Sequence, residues 1–238
     1  LFGAEIDMDY NFTLGVSEER YDTFDFMVIS TTHLHLAGYT VKEKITTPED
    51  AARLWVERFR ALLKKNLPWH KIGIAHLTSG HIFKGRTQEV IGLIDDEVLY
   101  ELFGDCAKKG LGIELNIKTL FNSEEEKATM LRPYRIAKEC GCKFYLGSDS
   151  HKASALQDGK ENFERIITLL DLKEEDKKYY EEFKKVLTVQ QAYKAIMDGK
   201  ANAQEFGAQY QYDPFGFGGQ RAYQEQANQD EQYLRSAA

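Results

Sequence analysis

FDFMVISTTHLHLAGYTVKEKITTPEDAARLWVERFRALL, residues 24–63, runs from an apolar stretch through a polar loop into an amphipathic one. Residues 24–30 are rich in Phe, Met, Val and Ile and end at Thr31 and Thr32, which predicts a strand. A helix is predicted further on. Thr47 suits the N-cap, Pro48 the first helical position and Asp50 the capping-box position. Ala51, Leu54, Trp55, Phe59, Leu62 and Leu63 form an apolar stripe for packing on a sheet.

The same alternation continues on both sides. Short apolar runs at residues 3–7, 72–77, 112–116 and 144–148 predict further strands. A second helix starts at the acidic Asp95, Asp96 and Glu97 and stops at Lys108, Lys109 and Gly110, with glycine suited to the left-handed cap. Two more are expected at residues 133–140, ending on Gly141, and at 161–172. Strands alternating with helices define an α/β fold with a largely parallel sheet. The expected organisation is a barrel-like domain over residues 1–172, a charged helical segment over 173–200, and a low-complexity tail over 201–238. The tail is rich in Gln, Tyr and Gly and has too few aliphatic residues to offset the entropy of ordering it. It is expected to be disordered or to dock on a protein partner.

Composition narrows the function. With 238 residues and 42% hydrophobic content, the chain can bury one substantial core. A net charge of −7 argues against broad nucleic-acid binding, which rewards clustered Lys and Arg. A small phosphorylated substrate remains compatible if bound cations offset the charge locally. Three cysteines, with Cys140 and Cys142 two apart at a strand start, suit structural thiols rather than a disulfide framework or zinc ribbon. Neither a membrane-spanning apolar run nor a secretory signal pattern is present, so the expected location is cytoplasmic. The opening LFGAEID already reads as a strand within an architecture, and a preceding segment is expected.

The chemistry lies in where ionisable residues fall. Glu5, His33, His76 and Glu114 each stand at or just beyond the C-terminal end of a predicted strand, as do Asp149 and His151 together. In a (β/α) barrel those ends converge on one rim, where active sites form. Imidazoles and carboxylates without thiolate suit Zn, Mn or Fe. Such a shell lowers the pKa of bound water toward about 7 and so favours hydrolase chemistry. His33 is preferred over His35 as the ligand. His70 precedes its strand and is read as structural. His81, Lys84 and Arg86, in the loop after His76, are candidates for phosphate contact, and Glu114 and Asn116 for lining the pocket. No Gly-rich phosphate loop, nucleophile elbow or dinucleotide fingerprint occurs outside the tail.

GAEID, FDFMVISTTHLH, IAH, GIELN and GSDSH, in that order, resemble the PHP (polymerase and histidinol phosphatase) family of metal-dependent phosphoesterases over roughly residues 1–170. The resemblance implies a distorted TIM-like (β/α)7 barrel that hydrolyses phosphate esters through metal-bound hydroxide. It implies that Glu5, His33 and His76 hold one metal, with Glu5 bridging to a second, and that Asp149 and His151 serve the others. Two or three divalent cations are implied in all, with Asp149, His151 and His76 as catalytic residues. The family's opening His-x-His has no counterpart here, and the expectation is an N-terminally truncated member. Residues 203–238 also look like the Gly/Phe-rich linker after the J-domain of some co-chaperones. A histidinol-phosphatase-like phosphoesterase is therefore expected, the alternative being a non-catalytic PHP-like interaction module with a Tyr/Gln-rich docking tail. An amidohydrolase is disfavoured, because no lysine stands at a strand end as a metal ligand.

Overall fold

Five parallel strands lie side by side in the order in which the chain makes them. They are β1 (Gly3–Asp7), β2 (Phe26–Ser30), β3 (Ile72–Ile74), β4 (Gly112–Leu115) and β5 (Lys143–Leu146). The structure is a computed structural model that describes residues 2–117, 120–150 and 159–178. All of these belong to one compact unit, Leu1–Lys184. The expected helical segment beyond residue 178, the tail and its partner contact lie outside the described residues. No helix among the described residues is long and apolar enough to cross a membrane.

The winding decides where the core sits. Parallel crossovers are right-handed, so a strand order that never reverses carries all its helices to one face. The register agrees. Ala4 lies beside Met27, Met27 beside Ile72, Ile74 beside Ile113 and Ile113 beside Phe144, which gives one apolar face. Every strand residue in the buried core comes from that face. The other face carries Glu5, Val28, Gly73 and Gly112 side by side, with Glu114 and Tyr145 beyond. A sheet wound in both directions would be apolar on both faces. This one is not.

The helices are α1 (Pro48–Leu63), α2 (Thr87–Gly92), α3 (Asp96–Lys109), α4 (Glu124–Glu139) and α5 (Gly159–Leu169). At the start of α1, Thr47 accepts from the Asp50 N–H at 3.1 Å and gives its hydroxyl to the Asp50 carboxylate at 2.8 Å. Trp55, Phe59 and Leu62 are buried against the sheet, and the Trp55 indole donates to the Leu77 carbonyl at 3.1 Å. Gly110 closes α3 at φ 72°, as its place after two lysines suggests.

Two helices differ from expectation. The one expected at residues 133–140 begins at Glu124, because Ser123 caps it, accepting from the Glu126 N–H at 3.0 Å, and three glutamates fill its positive first turn. Pro133 lies inside it, buried, rather than at its start. The loop from His81 to Arg86 leads into a short helix, α2, that the sequence did not announce. Residues 173–178, assigned to the following segment, lie along β5 instead, where the Lys178 N–H donates to the Phe144 carbonyl at 2.7 Å.

Candidate metal centre

β1 places Glu5 and Asp7 two residues apart, so both side chains leave the same face. His33 stands three residues past β2 and His76 two past β3, so the parallel sheet delivers all four to one end. One ligand atom each of Glu5, His33 and His76 lies within 4.8 Å of the others. His76 Nε2 is 3.1 Å from Glu5 Oε1, His33 Nε2 is 3.9 Å from the same oxygen, and the two imidazoles stack at 4.9 Å.

Each imidazole is oriented from behind. His33 Nδ1 lies 2.7 Å from Asp7 Oδ1, which fixes the proton on Nδ1 and leaves Nε2 facing Glu5. His76 Nδ1 meets the Thr32 hydroxyl at 2.7 Å. The Thr40 hydroxyl donates to the His33 carbonyl. Metal-ligating histidines typically have their second nitrogen held by a carboxylate or another polar oxygen in this way. Asp7 and Thr32 were not singled out from sequence. Asp7 could have been, since it repeats the strand face of Glu5 on a strand read correctly.

The electrostatics are those of a tight mixed cluster. The hydrogen bond from His76 holds the Glu5 carboxyl below its usual range, against burial. The bond from His33 does the same for Asp7. Burial lowers the His76 pKa, but the Glu5 hydrogen bond and the charges of Glu114, Glu5 and Asp149 outweigh it, so the net shift is upward. His76 also sits at φ 27°, a region that costs a non-glycine residue about 1–3 kcal/mol.

Glu114 is buried beneath this cluster. Its carboxylate accepts the His76 backbone N–H at 2.7 Å, and burial raises its pKa. It therefore supports His76 from below. Gly147 makes the space for it, since a Cβ there would lie 1.8 Å from Glu114 Oε1. Gly147→Ala should cost about 2 kcal/mol by overpacking, read as a lower midpoint in thermal melts. The cost should shrink in a Glu114→Ala background, and an equal cost in both would exclude the contact as its cause.

The remaining expected residues fall unevenly. Asp149, exposed and at φ 47°, acts through its charge on His76, Glu114 and His81. It is not in the three-residue group. His151 lies outside the described residues. The His81 ring reaches the cluster, 5.1 Å from that of His33. Arg86 is exposed, with its guanidinium paired to Glu89 at 2.6 Å across the first turn of α2. Lys84 is exposed and Asn116 half-buried just past β4. His70 lies in a short 3-10 turn at the opposite end of β3. Cys106, Cys140 and Cys142 are free thiols.

No family model, curated protein or solved structure matches the chain.

Proposed function

We propose that this protein is a metal-dependent phosphoesterase of the PHP type, and that its sheet belongs to a distorted TIM-like (β/α)7 barrel. The observation that carries the reading is the Glu5, His33 and His76 group at the C-terminal ends of consecutive parallel strands, with each imidazole held on its far nitrogen. The one-directional winding supports a barrel over a sheet wound both ways.

The donor set suits the cation. One carboxylate and two imidazoles match Zn, Mn or Fe, and the buried Ser30 hydroxyl, which has no hydrogen-bond partner among the described residues, stands in register beside Asp7. Divalent cations held there supply Lewis acidity, neutralising phosphate charge and lowering the pKa of water. The protein's own residues set the stage for this. Asp7 keeps the His33 proton on Nδ1, Thr32 orients His76, and Glu114 fixes the His76 backbone. Asp149, with His151 beside it in sequence, would complete further cation positions.

The test is hydrolysis of p-nitrophenyl phosphate by the purified chain with added Mn or Zn. Replacing His76 or Asp149 by Ala is expected to abolish the metal-dependent rate, and an unchanged rate in either variant would sink the reading. Protein that neither retains metal nor hydrolyses the ester would favour the interaction module.

A further inference from the structure

Two loops cross the same end of the sheet, residues 31–41 after β2 and residues 75–86 after β3. They are joined where the Leu34 N–H donates to the His81 carbonyl at 3.2 Å. That bond sets His35 and His81 against each other, with ring centroids 4.6 Å apart and 34° between planes. The His35 ring also hydrogen-bonds to the His81 backbone. With one nitrogen bound to a carbonyl, the tautomer is fixed and the other nitrogen is left to coordinate. Both side chains are exposed.

We propose that His35 and His81 form a second cation site, distinct from the Glu5, His33 and His76 group and adjacent to it. His33 Nδ1 is held by Asp7 and the two His76 nitrogens by Thr32 and Glu5, whereas the His35 ring is held by the His81 backbone. The two groups are nevertheless close, with His81 5.1 Å from His33 and 6.0 Å from His76 between ring centroids. Two imidazoles and no carboxylate select a borderline ion such as Zn, Ni or Cu over Mg or Ca, and leave coordination positions open to water or an anionic oxygen. A role in gripping the substrate phosphate rests on the phosphoesterase reading; occupancy by a cation does not.

The experiment is Zn titration of the metal-stripped full chain, followed by calorimetry, with native mass spectrometry to count bound ions. His35→Ala/His81→Ala is expected to lower the count by one and to leave the Glu5-dependent ion in place. Glu5→Gln/His76→Ala is expected to lower it by one through the other site. A conservative His35→Asn/His81→Asn variant, checked by thermal melting, guards against loss of fold. If the double variant binds as many ions as the parent, or loses the Glu5-dependent ion as well, the second site does not exist. Absent hydrolysis with the ion count intact would instead count only against the phosphoesterase reading.

Discussion

His76→Ala is expected to weaken Zn or Mn binding by more than the roughly 100-fold at the upper end of what loss of an orienting partner costs. His76 contributes a ligand atom to the Glu5 and His33 group, whereas Asp7 and Thr32 only hold imidazoles. Asp7→Asn should therefore fall within about 10- to 100-fold, and isothermal titration of the metal-stripped protein separates the two. Backbone strain gives a second readout. Because His76 sits at φ 27°, His76→Gly should be about 1 kcal/mol more stable than His76→Ala while binding metal no better. If His76→Ala bound as tightly as the parent, the three-residue group would not be the metal centre.

The pH dependence has a definite sign. Metal binding requires neutral imidazole, and the folded, metal-free His76 is raised because the Glu5 hydrogen bond and nearby carboxylates outweigh burial. Affinity should therefore start to fall, as pH is lowered, at a higher pH than for an ordinary histidine. The His76 and Glu5 interaction follows the opposite course in the metal-free protein. It stabilises fully below the unfolded histidine pKa of about 6.5 and is lost as pH rises through the raised folded value.

The strands were legible because each is a short apolar run followed by a polar turn; four lie within the segments expected, and β5 begins one residue before its own. Helix boundaries were legible where caps are local, as at the start of α1 on Thr47 and the end of α3 on Gly110. They were misread at α4, where Pro133 suggested a start that Ser123 and the glutamates after it make nine residues earlier. Position along strands brought out Glu5, His33 and His76. It could not find the His35 and His81 pairing, because that depends on which loops touch. The Leu34 to His81 bond spans the whole of α1, and no local pattern announces it.

Arg58→Leu should be the most damaging substitution away from the metal ligands. Arg58 is fully buried on α1 and donates to four backbone carbonyls: Thr31 at 2.8 Å, Asp9 at 3.1 Å, Thr40 at 2.6 Å and Met8 at 2.6 Å. Burial lowers its pKa to about 10, with Asp7 and Asp9 acting against that, so it remains charged at neutral pH. These carbonyls belong to the exits of β1 and β2, the segments that carry Asp7 and His33. Leucine would leave the Thr31, Thr40 and Met8 carbonyls without this donor, the Asp9 carbonyl keeping the Phe12 N–H, at a cost on the order of 4 kcal/mol. In a domain of this size that corresponds to a drop of about 10 °C in melting temperature. Arg58→Lys keeps the charge but offers a compact ammonium in place of the planar fork, so it should recover only part of the loss. Because the loop ends would loosen, metal affinity in Arg58→Lys should fall by about 10- to 100-fold while the protein remains folded. Lysine binding metal as tightly as arginine would show that the guanidinium holds the fold alone and leaves His33 to be placed by Asp7.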